Sequence, residues 1–339
     1  MAARNALPSR PRPDLSAPGD LISGIPGLLG FAPTDSIVVI GFAADDTGVL
    51  TLSSTMRTDL PPPRDAPTVA DQLRVAAGNT GAEFAAAVVV CAATDSLQLP
   101  HRDLLDALAD EFDEHDIQLV HAAWVPATLA GETWRCYDDD GCDGIVPDPR
   151  DSPFASAATP PGAPPFTSRS AMAAQFAPDA DDVLAKRAEL IAQQRRTRTV
   201  EQHCADLRAA LTRATACPDP PELDDPVIAR LGAALSCADA REECFAVMLR
   251  ADPAAAERLW LALTRVLPDP ERAESACLLA MHAYLRGAGV LAGMALDVAL
   301  GVRPDHRLAA LLRSTIDVGT PPDELRRLVA RSVAEAGAS

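Results

Sequence analysis

The stretch Leu28–Phe42, with the sequence LLGFAPTDSIVVIGF, constrains the fold of this chain more than any other. Its first residues complete an apolar helix, and a Phe-Ala-Pro-Thr-Asp turn follows. The segment Ile37–Ile40 is then a short apolar run, which predicts a strand that is buried on both faces. We therefore predict a central sheet that is built around this strand.

Other short apolar or amphipathic segments follow in the first half of the chain. They predict strands at Val49–Thr58, Ala85–Cys91, Ile117–Val125 and Glu132–Tyr137, and helices at 16–29, 68–78 and 100–115. The first two strands should form a hairpin. The later alternation of strand and helix is typical of right-handed crossovers on a parallel sheet. Residues 16–137 are thus predicted to form an α/β domain, with a mixed, mostly parallel sheet and flanking helices.

The segments before and after this domain differ from it in composition and in predicted structure. Residues 1–15 are rich in Pro and Arg and are predicted to be a disordered tail. Residues 138–178 are rich in Asp, Pro, Gly and Ser and predict a Pro-rich connector. Residues 179–337 predict an all-α domain, which starts with one long helix at Asp181–Ala216. Shorter helices separated by Pro should follow at 223–236, 239–249, 253–267, 271–286, 289–301, 305–317 and 321–336.

One helical hairpin in this second domain has a more specific pattern. It has a glycine in the turn, small and apolar residues along the second helix, and a proline at the end; these are Gly287, Ala292, Leu296, Ala299 and Pro304. The pattern resembles the second half of a tetratricopeptide repeat, in which small residues let paired helices approach each other closely. The fold prediction is therefore an α/β domain followed by a tetratricopeptide-like helical array. An ordinary helical hairpin is the alternative.

The charge and the apolar pattern of the chain exclude several function classes. The formal net charge is −18, which opposes binding to the phosphates of nucleic acid or of an anionic membrane. The chain contains no apolar run of the roughly 18–20 residues that a membrane span needs. We therefore predict a cytoplasmic protein without nucleic-acid or membrane partners. Its eight cysteines should be mostly reduced in that compartment.

No complete catalytic or cofactor-binding motif occurs in the sequence. Its glycine clusters lack the context of a dinucleotide or P-loop site, and no nucleophile motif such as Gly-x-Ser-x-Gly is present. We predict no catalytic residue and no cofactor, and we leave open whether the protein is an enzyme.

A polar cluster is expected where strands of the first domain end. Ligands of open α/β sheets gather at the carboxyl ends of strands, which here carry Arg57, Asp59 and Asp95. Arg57 and Asp59 point to one face of an extended segment, where Arg could bind a carboxylate or phosphate and Asp could act as a base. An ion pair that ties the strand to its loop is the alternative.

Two cysteines lie close together in an acidic loop. Cys136 and Cys142 are separated by five residues, three of which are Asp. They are weak candidates for a metal site, because the short spacings typical of structural zinc are absent. A redox-sensitive pair and ordinary loop thiols are the other interpretations.

Several motifs along the chain together resemble a known family. They are Gly19-Asp20-Leu21, Leu28-Leu29-Gly30-Phe31-x-Pro33-x-Asp35-Ser36, Arg57-x-Asp59-Leu60-Pro61, Trp134-Arg135-Cys136 with Cys142 and Pro147, Ser168-Arg169, and the Gly287–Pro304 hairpin. This order resembles the actinobacterial family of uncharacterised proteins known as domain of unknown function 4192, from Leu15 to about Pro322. The resemblance implies a fold and a bacterial lineage, and it implies no activity. Trp134 and Arg169, which lie in these motifs, complete the candidate ligand-binding residues.

Two functions follow from these observations. The preferred one is a non-enzymatic scaffold or regulatory module that binds a protein partner through its helical domain. The alternative is a small-ligand-binding protein or enzyme, with a site at the strand ends of the α/β domain under the Trp134–Cys142 loop.

Overall fold

A computed structural model describes residues 17–45, 48–92, 98–158, 164–217, 223–241 and 253–336 of the chain. The chain divides into two compact units, Met1–Met172 and Ala173–Ser339. We call them the α/β unit and the helical unit. The predicted tail lies outside the described residues.

The α/β unit is built on a six-stranded sheet with the order β2-β1-β3-β4-β5-β6. The strands are β1 (Ser36–Ala44), β2 (Leu50–Asp59), β3 (Phe84–Val90), β4 (Gln118–Val125), β5 (Thr133–Cys136) and β6 (Asp143–Ile145). The helices are α1 (Pro18–Leu29), α2 (Ala66–Asn79), α3 (Arg102–Asp113), α4 (Pro153–Ala158) and α5 (Arg169–Ala173), the last at the boundary between the units. The predicted apolar runs thus became strands, and β6 was not predicted.

The sheet is mixed as predicted, but the prediction that it is mostly parallel is wrong. Only β3 and β4 pair in parallel among the described strands, whereas β1 is antiparallel to both β2 and β3, and β4–β5 and β5–β6 are also antiparallel. The reason is topological. The crossover through α2 takes the chain from β2 across β1 to the other side of β1, so that β3 pairs with β1 in the antiparallel direction. The connections between β4, β5 and β6 are short, and short connections allow only antiparallel pairs.

Both faces of the central strands are buried. Alternate residues of β1, such as Ile37 and Val39, pack in a core with Leu73 of α2 and Leu108 of α3. The intervening side chain of Val38 is also fully buried, on the opposite face of the sheet. Because successive strand residues point to opposite faces, burial of every position explains the continuous apolar run.

Part of the range that was predicted as a connector packs within the α/β unit. Phe154 of α4 is 3% exposed and lies against α1 at Gly24, where an added Cβ would come within 2.6 Å of the Phe154 ring. Further along, Phe166 forms a parallel bridge with Phe31, at the end of α1. A few aromatic anchors therefore suffice to fix a segment that is rich in Pro and Gly.

The helical unit contains eight further described helices with short connections. They are α6 (Asp181–Thr197), α7 (Val200–Ala216), α8 (Asp225–Leu235), α9 (Pro253–Val266), α10 (Glu271–Leu285), α11 (Gly289–Val302), α12 (Arg307–Asp317) and α13 (Pro322–Ala336). Most of the predicted helices agree with these bounds within two residues, and the one predicted at 239–249 lies largely outside the described residues. Within the described residues, no helix is long and apolar enough to cross a membrane.

The single long helix predicted at Asp181–Ala216 is wrong, because the chain breaks between α6 and α7. Thr199 caps α7 by accepting a hydrogen bond from the Gln202 backbone, while the Gln202 side chain accepts from the Thr199 backbone. This reciprocal capping box satisfies two amide groups that a helix start would leave unpaired. The Thr-x-x-Gln pattern was a readable signal for the break.

Helix α10 is the centre of the helical unit. It packs against α8, α9, α11, α12 and α13, and nearly every residue from Glu271 to Tyr284 is buried. Two of its buried polar side chains are paired: Glu271 accepts from Ser236 at 2.6 Å, and Ser275 lies 3.2 Å from the Thr264 hydroxyl. Such pairing is what makes polar residues tolerable on a helix that is buried all round.

Candidate functional site

Several strand ends do meet at one edge of the sheet, as the sequence predicted. Ser36, the first residue of β1, pairs with Asp59 at the end of β2 and with Val90 at the end of β3. Val90 in turn pairs with Val125, at the end of β4. The candidate residues Arg57 and Asp59 therefore lie at this edge, while Asp95 lies outside the described residues.

The bonds of Arg57 are made within the α/β unit. Its Nε donates to the Ser36 hydroxyl at 2.9 Å, and its Nη2 lies 2.5 Å from an Asp59 carboxylate oxygen. The Arg57 side chain is 14% exposed, whereas that of Asp59 is 83% exposed. This arrangement ties the edge strand β2 to the start of β1, which is the alternative that the sequence left open for this pair.

The two candidates from the family motifs occupy different environments. Trp134 is buried, and its indole packs so closely on Gly144 of β6 that an added Cβ there would lie 2.9 Å from the ring. The same indole lies beside Gly19 of α1. Trp134 thus fixes the β5–β6 hairpin, whereas Arg169 is exposed at the start of α5.

A cleft of about 260 Å³ lies beside the start of α3. Its wall combines two guanidinium groups, two carboxylates, an amide and a thiol-bearing residue, and it is lined by Gln98, Leu99, Arg102, Arg135, Cys136, Asp139 and Asp140. Of the predicted candidates, only Cys136 is in this set. The predicted loop does border a cleft, but Arg57 and Asp59 are not among the residues that line it.

Arg102 is held in place by the end of β5. Its Nη2 donates to the carbonyl oxygen of Tyr137, and its guanidinium carbon lies 5.6 Å from the centre of the Tyr137 ring. The Tyr137 hydroxyl in turn donates to the carbonyl oxygen of Pro100 at 2.5 Å. These contacts fasten the first turn of α3 to β5, and they fix one guanidinium at the cleft.

Arg135 is supported by a different aromatic ring. It pairs across the strands with Trp124 of β4, and its guanidinium carbon lies 5.4 Å from the centre of the Trp124 ring. A guanidinium over an aromatic face is stabilised by the ring quadrupole, and its planar set of donors stays available at its edge. In the described part of the chain, this guanidinium has no hydrogen-bond or ion-pair partner.

The two carboxylates come from the turn after β5. Asp139 accepts a hydrogen bond from the Gly141 backbone at 2.8 Å and its carbonyl oxygen accepts from the Cys142 backbone, so that it shapes the turn. Asp140, which lies between Asp139 and Gly141 in the chain, is exposed. The turn after β5 thus places Asp139 and Asp140 in the wall of the cleft that Arg102 and Arg135 also line.

Cys136 and Cys142 are brought together by the same turn. Their Sγ atoms are 2.7 Å apart, and the thiol of Cys136 is the donor. Burial raises the pKa of Cys136 to about 12, and the hydrogen bond to Cys142 and the charges of Asp138 and Asp139 act in the same direction. Among the described residues, no group of three or more His, Cys, Asp or Glu side chains could hold a metal ion.

Sequence reasoning missed Arg102 and Arg135 as potential ligand-binding residues. They are separated by a helix and a strand, and the motif that contains Arg135 drew attention to its neighbours Trp134 and Cys136. The alternation of polar and apolar residues along Thr133–Cys136 could have indicated that Arg135 points away from the buried face.

A comparison with protein families identifies the family of this chain. The model of a family described as "Domain of unknown function (DUF4192)" matches residues 18–323. No curated protein and no solved structure matches the chain.

Proposed function

Because the chain belongs to the DUF4192 family, whose description carries no activity, we propose a function from the geometry of the cleft. The α/β unit binds a small zwitterionic ligand, with a carboxylate at one end and an amine at the other. An amino acid or a very short peptide has this chemistry.

The observation that carries this proposal is the presence of two guanidinium groups and two carboxylates around one cavity. Arg135 and Arg102 offer donors in the fork geometry that matches a carboxylate. Asp139 and Asp140 also line the cleft, and their carboxylates attract a cation. A lining with balanced charge favours a dipolar ligand over a simple anion.

The size and support of the cleft fit a small ligand. A volume of about 260 Å³ lies just below the range of about 300–1,000 Å³ that is typical of drug-sized ligands. Both arginines rest on aromatic rings. Because their orientation is fixed before binding, less conformational entropy is lost when a ligand is bound.

Titration calorimetry with single amino acids tests this proposal. We expect binding in the millimolar range or tighter, and at least a tenfold weaker affinity in Arg135→Ala. Asp140→Asn should weaken binding of an amino acid and leave binding of its N-acetylated form unchanged. The matched control is Arg64→Ala, because that side chain is 84% exposed and lies outside the cleft lining. If no amino acid binds, or if Arg135→Ala binds as well as wild type, the proposal is wrong.

A second function is favoured by the helical unit, which we propose to be a tetratricopeptide-like array that binds a protein partner. The α10–α11 hairpin supports it: Gly287 adopts the left-handed conformation in its turn, and Ala292 and Ala299 are fully buried along α11. Large apolar side chains are also exposed on the last two helices, with Leu311 at 64% and Leu328 at 48%. Exposed apolar residues of this size are typical of interaction surfaces when they are contiguous.

Native mass spectrometry of gently purified protein tests the second function. A stoichiometric protein partner should be present on wild type and lost on Leu311→Glu with Leu328→Glu. The matched control is Leu129→Glu, which changes an equally exposed leucine of the α/β unit (58%). A partner that survives the double substitution, or that is lost with the control, contradicts docking on these helices.

We also propose that the protein is cytoplasmic and that it comes from an actinobacterium. The location is supported by the seven described cysteines, which are all free thiols. Fractionation of cells that express the full chain would test it, and enrichment in a secreted or envelope fraction would contradict it.

A further inference from the structure

The β5–β6 hairpin places two cysteines directly across from each other. Arg135 pairs with Asp143 in the antiparallel register, and the Cys136 amide donates to the carbonyl oxygen of Cys142 at 2.9 Å, which continues that register by one step. Facing residues of an antiparallel pair have Cα atoms about 4.5–5.5 Å apart. This separation lies within the range of about 4.4–6.8 Å that a disulfide spans.

We propose that Cys136 and Cys142 form a reversible thiol–disulfide pair that is oxidised by a hydroperoxide. This inference rests on the facing positions of the two residues and on the distance of 2.7 Å between their sulfur atoms. Neither backbone strand has to move far for the bond to form. In a reducing compartment, a disulfide of this kind is transient and serves redox sensing.

A metal site explains the sulfur positions less well. Two thiolates bound to a tetrahedral zinc ion, at a Zn–S distance of about 2.3 Å, are about 3.8 Å apart. The sulfurs of Cys136 and Cys142 are more than 1 Å closer than that. The described residues also supply no third ligand that would complete such a site.

The two thiols have different roles in the reaction. Cys142 is partly exposed, whereas Cys136 is buried and its pKa is raised by that burial, so the thiolate of Cys142 is the nucleophile. It attacks one peroxide oxygen, the O–O bond breaks, and the leaving alkoxide or hydroxide takes a proton, which leaves Cys142 as a sulfenic acid. The sulfur of Cys136 then attacks Cys142; the S–O bond breaks, and the hydroxide combines with the Cys136 proton as water. The hydroperoxide is thus reduced by two electrons, which the two thiols supply.

The oxidation state of this pair should also change the proposed ligand cleft. The disulfide would close the turn that carries Asp139 and Asp140, and Cys136 itself borders the cleft. This part of the inference rests on the proposed function. Formation of the disulfide is measured by mass spectrometry, so this result does not depend on ligand binding.

Peptide mapping of the full-length protein tests the disulfide. The protein is treated with hydrogen peroxide in small excess, alkylated and digested with trypsin, and cleavage after Arg135 and Arg150 releases both cysteines in one peptide. We expect this peptide to lose two hydrogen atoms and to take no alkyl group. Dithiothreitol should restore two alkylation sites.

Single substitutions separate the two roles. In Cys136→Ser, the sulfenic acid on Cys142 should persist and react with dimedone, whereas Cys142→Ser should give no dimedone adduct on Cys136. Cys217→Ser is the matched control, since Cys217 is an exposed single thiol, and it should leave the internal link unchanged. A pair that stays reduced at peroxide doses that oxidise Cys217 overturns the proposal, as does a link to any other cysteine.

The coupling to the cleft has its own readout. Calorimetry of the reduced and oxidised protein should give amino-acid affinities that differ at least threefold, and the difference should vanish in Cys136→Ser. Equal affinities would overturn the coupling and leave the disulfide in place. Absence of ligand binding in both forms would contradict the proposed function without affecting the mass result.

Discussion

The indole Nε1–H of Trp260 donates a hydrogen bond to Nδ1 of His282, with 3.1 Å between the two nitrogens. Both side chains are buried in the helical unit, at 0% and 2% exposure. The same Nδ1 lies 3.1 Å from the carbonyl oxygen of Leu278, and among the described residues Nε2 is buried without a hydrogen-bond partner. Because burial removes water from the ring, the centre of the helical unit favours an uncharged histidine.

This contact predicts that the protein loses stability in mild acid. Burial lowers the pKa of His282 from 6.5 to about 4. Between these values the unfolded chain binds more protons than the folded one, so stability is full above about pH 6.5 and falls as the pH decreases towards 4. The loss is up to about 3 kcal/mol. Urea denaturation that is followed by circular dichroism between pH 4.5 and 7.5 measures it.

A non-titrating variant isolates this histidine from other acid-sensitive groups. His282→Gln keeps an acceptor for Trp260, and its free energy of unfolding should depend less on pH than that of wild type over this window. His115→Gln changes an exposed histidine and should follow wild type. Equal slopes for wild type and His282→Gln would contradict the prediction.

The buried carboxylate of Glu274 predicts a large loss on neutralisation. It lies 2.6 Å from Arg303, 3.2 Å from His306 and 3.3 Å from Arg241. Burial alone would raise the pKa of Glu274, but the His306 hydrogen bond and the arginine charges outweigh it, so the pKa is lowered. Glu274→Gln should lower the free energy of unfolding by about 2–3 kcal/mol, because it leaves partly buried cations without a counter-charge.

A surface pair provides the comparison for Glu274. Glu257 binds Arg286 through two carboxylate oxygens but is 19% exposed. Glu257→Gln should cost less than about 1 kcal/mol, because water screens the exposed pair. Urea denaturation of both variants at pH 7 checks the prediction, and similar losses would show that burial does not set the value of the Glu274 network.

Two glycines in helices of the α/β unit predict opposite effects of the same substitution. In Gly24→Ala, the new Cβ would lie 2.6 Å from the ring of Phe154, and we expect a loss of about 1–3 kcal/mol from overpacking. In Gly78→Ala, no atom lies within 4 Å of the new Cβ, and we expect a gain of about 0.5–1 kcal/mol from helix propensity. Thermal unfolding of the two variants measures both changes in stability. Destabilisation by both substitutions would refute the packing argument.

The contacts of Arg57 predict a structural role for this residue. Arg57→Ala should cost about 1–3 kcal/mol, because it removes a charged donor from the Ser36 hydroxyl. Asp59→Asn should change stability by less than about 0.5 kcal/mol, since that carboxylate is 83% exposed. Urea denaturation gives both values. Loss of amino-acid binding in a stably folded Arg57→Ala protein would contradict a purely structural role.

The predicted and observed sites share the turn after β5 and differ in their other residues. The sequence pointed to the strand ends, and Arg57, Asp59 and Ser36 do lie at one edge of the sheet. The cleft uses Arg102 and Arg135 instead. Neighbouring positions at a sheet edge can be inferred from topology, but the inference cannot tell which side chains already bind one another.

The sequence by itself determined the local elements of this protein. Apolar runs predicted the strands around Ile37–Ile40 and Val88–Val90, and Pro-punctuated periodicity predicted most helices, because these signals depend on residues within one or two turns. The capping box at Thr199 is equally local, and its Thr-x-x-Gln pattern could have predicted the start of α7.

Tertiary packing alone decided how those elements combine. The direction of β3 against β1, the complete burial of α10, and the approach of Arg102 to Tyr137 join segments that are far apart in the chain. The same holds for the register that sets Cys136 against Cys142. Such contacts depend on how apolar faces are buried against each other over the whole unit, and that free energy is not contained in any local window of sequence.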